Sequence, residues 1–437
     1  MDRFQKRKQT KERRRHQICK VFEVKIDKSK LSQETVDHLR KWFTEAKYFY
    51  NYCAQQDNIN KADTTIKCVP VRVLGNFENR TLSVLTGAQK QGIKTSIFSS
   101  IMGLHTLKKN GYKVGRIRFK SFVNSINLQQ YNKTHFIDFA NSRIRLQGIA
   151  QKMRVSGLGQ ISPDDEIANA HLVRKCGEYY LHITTYRQKI KSEIPDVSVG
   201  IDFGCQTQLT LSNGIKIEYE VPIPKKLRRL DRKIQKSNRP KSKKKQQDRW
   251  KREKVYQHLR NRKKDNQNKI VSAITKNVKR VCFQDENIHA WHSGNHGKKI
   301  QNTGIGGIIR DLKLKSHTPI EVDKFFPSTQ LCPVCEHRQK LTLDQRIYKC
   351  EICGYEKDRD WKSAICIEEE GLKNSKVPVG YREVKAEETK ASAQRIFNSL
   401  KGVNGLRASF VDDSGKLRAC VGACHFESVG YIFSKDK

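Results

Sequence analysis

Four cysteines stand in two pairs, Cys332-Pro-Val-Cys335 and Cys350-Glu-Ile-Cys353. A Cys-x-x-Cys turn aims two thiols at one point. Two such turns supply four thiolates, the ligand set of a closed tetrahedral zinc ribbon. A closed four-thiolate site keeps no open position, so the Zn2+ it implies is structural. Three acids form a second set: Asp202 after VSVGI, Glu286 after VCFQD, and Asp360 in KDRDWKSA at the start of a helix. Carboxylates converging from such points can hold two Mg2+ ions. Such ions activate an attacking water and stabilise the leaving oxygen of a phosphodiester. Taken singly, each acid is an ordinary strand end or helix cap. Cys420, Cys424 and His425 form a weaker group, read as unrelated to metal.

The polymer these groups would act on is indicated by charge. The 437 residues carry 87 Lys and Arg against 45 Asp and Glu, a formal charge of +42. The excess runs through the whole chain. A polyanion is the natural counter-charge for such a field, which favours nucleic acid over a plain solvated basic surface. The length suits two to four domains with a substantial core. No stretch approaches the ~20 apolar residues that span a bilayer, so no membrane partner is expected. The start, MDRFQKRKQTKERRRH, has no apolar signal region and reads as a disordered basic arm over residues 1–17. With 13 cysteines, an odd number, a reducing compartment fits better than a disulfide framework. The expected location is cytoplasmic and nucleoid-associated, or nuclear in a eukaryote.

Periodicity supplies the elements that must position the two sets. Phe22, Val24 and Ile26 alternate as in a strand, and Val36, Leu39, Phe43, Ala46 and Phe49 form one helical stripe. Residues 60–110 read as mostly helical. GRIRFKS (115–121) reads as a strand with Arg116, Arg118 and Lys120 on one face, followed by strands or hairpins at SINLQQY, RIRLQG and HLVRKCGEYYLHITT. VSVGIDFGCQTQLTLSNG gives two strands and a turn. Residues 225–269 give two basic helices broken at Pro240, with Leu227, Leu230 and Ile234 as a thin apolar stripe. Arg228, Arg229 and Arg232 on the first of them are candidate phosphate contacts. VKRVCFQDENIHAW and PIEVDKFF read as strands, and GIGGIIRDLKLKS as a helix between them. Beyond residue 372 no strong pattern stands out.

The order VGIDFG, basic helices, strand-end Glu, then FFPSTQLCPVC…RIYKCEICGYEKDRDWKSA resembles the RuvC and zinc-finger half of TnpB proteins and compact type V CRISPR effectors. AKYFYNY and RFKSF…INLQQ resemble the wedge and recognition regions of the same proteins. The resemblance covers roughly residues 18–370. It implies an α/β (α+β overall) fold: an RNase H-like RuvC domain (197–325 and 357–372) with an inserted zinc ribbon (326–356). Before it would come a β-barrel wedge domain (18–30 and 111–196) with an inserted helical recognition domain (31–110), and after it a C-terminal tail (373–437).

By the same resemblance Asp202 matches the first RuvC aspartate in G-[IV]-D-x-G, and Asp360 the second Asp of D-R-D. The register that keeps an acid in the middle places Glu286-Asn287-Ile288 on E-N-L. The other register puts Gln284 there, with Asp285 as a substitute. Lys362 departs from the family's D-x-N-A-A, which has Asn at that point. Arg346 falls on a ribbon Arg that would touch the scissile strand.

The implied activity is RNA-guided DNA cleavage at a single Mg2+-dependent RuvC site, after recognition of a short adjacent motif. Guide RNA and double-stranded target DNA are the implied partners, with the protein a monomer or homodimer. The alternatives are a nuclease-inactive RNA-guided repressor and another RuvC-like, transposon-associated DNA-binding protein. A DNA-strand transposase lacks support, since no HUH-type His pair with a Tyr nucleophile is found.

Overall fold

Alternation along Gln17–Ile26 (β1) buries Val24 and Ile26 and exposes their neighbours, and this strand sits at the centre of the first of two compact units, Met1–Lys191 and Ser192–Lys437. The computed structural model describes residues 3–73, 75–189, 193–236, 242–293, 297–342, 344–375, 385–411 and 417–421.

In the first unit a helix, α1 (Arg3–Arg15), precedes β1. The helix α2 (Gln33–Gln55), the hairpin β2 (Cys68–Val73) and β3 (Asn76–Thr81), and α3 (Gly87–Lys109) come next. Short strands β4 (Ser125–Leu128), β5 (His135–Asp138), β6 (Arg143–Leu146) and β7 (Met153–Ser156) lead to the long hairpin β8 (Glu166–Lys175) and β9 (Glu178–Gln188). They form a near-barrel sheet in the order β4-β8-β9-β1-β7-β6-β5. The stripe Val36, Leu39, Phe43, Ala46 and Phe49 is buried as its 3.6-residue period requires, together with Trp42. Glu45 on the same helix is also buried. Its carboxylate accepts the N–H groups of Ser83, Val84 and Leu85 at 2.9 Å each and so fixes the approach to α3.

Residues 60–110, expected mostly helical within a helical domain over 31–110, hold the hairpin β2–β3 ahead of α3, because Val69 and Val71 alternate against the apolar core. Two further expectations fail here. The N-terminal arm, expected disordered, is helical: Arg13 and Arg14 both bond Glu166, at 2.8 and 2.9 Å, and Arg14 lies 4.2 Å over the Tyr186 ring. Residues 115–121 are not a strand. The Asn51 side chain accepts from Lys120 N at 2.8 Å and donates to its carbonyl at 3.0 Å, taking the backbone groups a neighbouring strand would use. Arg116, Arg118 and Lys120 are exposed, but so is Phe119 at 66%, so no apolar face opposes them.

The second unit is built on β10 (Ser198–Phe203), β11 (Leu209–Leu211) and β12 (Ile215–Tyr219). Helices α4 (Lys225–Lys236) and α5 (Lys243–Thr275) follow; the break at Pro240 lies outside the described residues. After β13 (Arg280–Gln284) come α6 (Ile288–Ser293), α7 (Gly297–Thr303), α8 (Ile305–Lys315) and β14 (Thr318–Val322). The hairpin β15 (Ile347–Lys349) and β16 (Glu356–Asp358) runs straight into α9 (Arg359–Asn374).

Residues expected to be a tail supply α10 (Ala386–Ser399), β17 (Leu406–Val411) and β18 (Leu417–Val421). The sheet order is β14-β13-β10-β11-β12-β17-β18, so this segment completes the sheet of the second unit. It does so because Ala393, Ile396 and Phe397 give α10 an apolar face, and Leu406 and Ala408 alternate inward on β17. β10, β13 and β14 are parallel, while β11, β12 and β17 add antiparallel. This mixed sheet with helices matches the RNase H-like expectation. No helix among the described residues is long and apolar enough to cross a membrane.

Candidate active site

Along β10, Val199, Ile201 and Phe203 point into the main core, so Ser198, Gly200 and Asp202 point the other way. That face carries α9. Two residues along a strand span about 6.6 Å, and four along a helix about 6 Å, so an antiparallel helix can meet every second strand residue. It does so here. Ser198 Oγ donates to Glu368, and Gly200 lies against Ala364. The next step of this register brings Asp202 opposite Asp360. A Cβ on Gly200 would sit 2.0 Å from the Ala364 carbonyl oxygen, so only glycine permits the helix to lie this close. The same holds at Gly371, where an added Cβ would lie 2.7 Å from Cys282 Sγ on β13.

Asp360 is set by its neighbours. Asp358 caps α9, accepting from Trp361 N at 3.0 Å, and its other oxygen takes Lys216 Nζ at 2.7 Å. Trp361 Nε1 donates to the Ser212 carbonyl at 2.8 Å, and its ring packs on Gly214, which has a φ of +85°. Arg359 lies 3.3 Å from Asp360 Oδ1 and also donates to the Gln345 carbonyl.

The third acid arrives on β13, which pairs with β10 so that Phe283 opposes Ile201. Gln284 is buried, and its amide donates to the carbonyls of Asp323, Lys324 and Phe326. Asp285 pairs with Lys313 at 3.2 Å. Glu286 is half-buried and near enough to Asp202 for its charge to act on it. Of the two registers, the geometry therefore brings Glu286 to the cluster and commits Gln284 to the loop after β14. Burial, then the charges of Asp360 and Glu286, push the Asp202 carboxyl well above the usual range, against the pull of Arg359 and Lys362. Glu286 is raised by burial and by Asp285. Carboxylates crowded in this way are the donor set a divalent cation would neutralise.

The four cysteines converge too. Among the described residues they are the only group of three or more His, Cys, Asp or Glu whose ligand atoms all lie within 4.8 Å of one another; the acid cluster is more open. Cys332 and Cys353 Sγ are 3.6 Å apart, and Cys335 and Cys350 Sγ 3.5 Å. A tetrahedron of ~2.3 Å Zn–S bonds has edges of about 3.8 Å, so the residues fit zinc. Each knuckle closes on itself: Glu336 N donates to the Cys332 carbonyl and Gly354 N to the Cys350 carbonyl, both at 3.1 Å. The N–H of Cys353, with that of Ile352, draws the Cys350 thiol down, while hydrogen bonds from the neighbouring thiols hold Cys335 and Cys353 up, so that without a metal the four share their protons unequally. Cys424 and His425 lie outside the described residues.

Arg228, Arg229 and Arg232 are exposed on α4, whose Leu227, Leu230 and Ile234 are buried. Arg346 is exposed and donates to Gln206 at 2.7 Å, in the loop just after Asp202. Residue typing passed over Gly200, Asp358, Lys216 and Trp361. Only the glycine two places before the aspartate and the acid two places before Asp360 leave a sequence signal.

Comparison with known proteins gives the class. Residues 182–289 match a family model described as a probable transposase (OrfB_IS605), and residues 309–367 match the Cas12f1-like TNB domain. The first matched segment carries Asp202 and Glu286, and the second carries the four cysteines and Asp360. A solved structure described as the cryo-EM structure of the Cas12f1–sgRNA–target DNA complex aligns with a TM-score of 0.49 and 14% identity. It covers 81% of this chain and 99% of its own. No curated protein matches the chain.

Proposed function

We propose that this protein is an RNA-guided DNA endonuclease that hydrolyses target DNA at one RuvC-type site. The observation that carries the reading is the register of α9 on β10, which sets Asp360 opposite Asp202 with Glu286 in electrostatic reach. Magnesium ions held by these carboxylates would supply Lewis acidity and a more acidic bound water. The chain's own groups do the rest. Asp358, Lys216 and Trp361 hold the start of α9, so the third carboxylate stays in place as charge builds. Arg346, tethered beside the Asp202 loop, is positioned to meet a phosphate. The exposed cations of α4 and of residues 116–120 would carry backbone contacts of RNA and DNA, in keeping with the +42 charge. Sequence choice would then fall to guide pairing and to a short adjacent motif.

The test is cleavage of a plasmid library with randomised flanks by protein co-expressed with its native flanking DNA, beside Asp202→Ala. Mg2+-dependent cutting next to one motif, lost in the variant, supports the reading. RNA-dependent binding without cutting in the parent protein would replace it with that of a guided binder.

A further inference from the structure

Among the described residues, Lys362 is a cationic side chain wholly removed from solvent, at 0% exposure. A buried ammonium is costly unless its donors are met. Here Nζ donates to the Ser328 carbonyl at 2.9 Å and the Leu331 carbonyl at 3.0 Å, and lies 4.2 Å from the centre of the Tyr348 ring. Tyr348 is itself fully buried.

These contacts join the two halves of the ribbon. Ser328 and Leu331 belong to the segment that enters the first cysteine pair at Cys332. Tyr348 lies on β15, two residues before Cys350. Cys366, one turn further along α9, also donates to the Leu331 carbonyl, at 3.5 Å. Lys362 itself stands two residues after Asp360 on the rigid first turns of α9. One side chain thus touches both cysteine knuckles' approaches and the helix that presents the third acid. By contrast, a ribbon–helix ion pair, Lys373 with Glu336, is exposed on both sides and screened by water.

Four thiolates around one Zn2+ make a dianionic centre, and an adjacent ammonium is its natural counter-charge.

We propose that Lys362 is a positioning residue that couples the ribbon to the acidic site, so that zinc occupancy sets the affinity of Asp202, Glu286 and Asp360 for a divalent cation. The proposal rests on reading those three acids as a cation site. Zinc holds Cys332 and Cys350 together. That fixes Leu331 and Tyr348, which fix Lys362 and through it the first turn of α9.

The experiment uses the full chain, zinc-loaded and zinc-stripped, as parent, Lys362→Met and Tyr348→Leu. One readout is the rate of zinc release to a chromogenic chelator. The other is the Mg2+ concentration giving half of the thermal shift. In the parent, stripping zinc should raise the half-saturating Mg2+ by about tenfold, the usual scale for a residue supporting metal ligands. In Lys362→Met, zinc should leave about tenfold faster. Its Mg2+ requirement should already be raised with zinc bound, and stripping should add less than about twofold, as coupled rather than independent changes do.

Tyr348→Leu, which keeps both carbonyl bonds, should shift both readouts the same way by a smaller factor, and it stands in if Lys362→Met does not fold. Parental zinc release in the variants, or an unchanged response of Mg2+ affinity to zinc removal, overturns the proposal. Neither readout requires cleavage, so a protein that never cuts DNA would sink the nuclease reading while leaving this coupling testable.

Discussion

The cysteine site and the acid site lie within one unit of the molecule, yet they are assembled on different principles. In the ribbon, each pair of thiols comes from one tight turn closed by its own backbone hydrogen bonds. In the acid cluster, each carboxylate comes from a different element, and the elements meet only because α9 lies flush on β10 and β13. The first arrangement is mostly local, with support from α9 through Lys362. The second transmits any shift in the sheet or helix to the ligands. The lesson is that the ribbon should fail through its metal and the acid cluster through its packing.

Breaking the ribbon's metal should have the largest effect. Cys350→Ser should abolish stoichiometric zinc and unfold the hairpin β15–β16, since metal binding supplies on the order of 10 kcal/mol in small zinc modules. Metal analysis and near-ultraviolet circular dichroism read the result. Retained zinc would show the site is not a closed tetrathiolate.

Asp360→Ala should lower Mg2+-dependent cleavage by on the order of 10³-fold, or about 4 kcal/mol of barrier, while RNA and DNA binding persist. Single-turnover cleavage and filter binding separate the two.

Gly200→Ala touches no ligand but should destabilise the second unit by about 3 kcal/mol, because its Cβ meets a backbone oxygen that cannot turn aside. Denaturant unfolding measures this. A neutral result would mean that α9 is free to lift, and the contrast between the two sites would dissolve.

The smallest effect concerns pH. The raised Asp202 and Glu286 carboxyls favour the protonated folded state. Their contribution to metal-free stability is fully present below the ordinary carboxylate pKa of ~4 and is lost as pH rises through the raised values. Mg2+ replaces the lost proton, so its thermal stabilisation should be larger at pH 8 than at pH 5. Equal shifts at both would place the ion elsewhere.

The same contrast explains what could be read in advance. The ribbon was legible because its four ligands sit at fixed short spacing, and such spacing nearly dictates geometry. Asp202 and Asp360 were legible through their flanking motifs. Glu286 was one of two registers, and the tertiary contacts take Gln284 to the loop after β14 and Asp285 to Lys313. The strand expected at 115–121 was misread because alternation there is not answered by a partner strand, and Asn51 caps the backbone instead. The segment after residue 372 was passed over because α10 and β17 find their packing partners only on a sheet built some 200 residues earlier.

By itself, then, the sequence determined the +42 charge on which the proposal of a polyanionic partner rests, the four-cysteine arrangement through its spacing, and most strands and helices through their periods. Only the tertiary structure decided which acids face one another, why Gly200 cannot be larger, and where the ammonium of Lys362 goes. Spacing and period are properties of neighbours along the chain, whereas the acid cluster and its support depend on how a helix near residue 360 lies across a strand near residue 200.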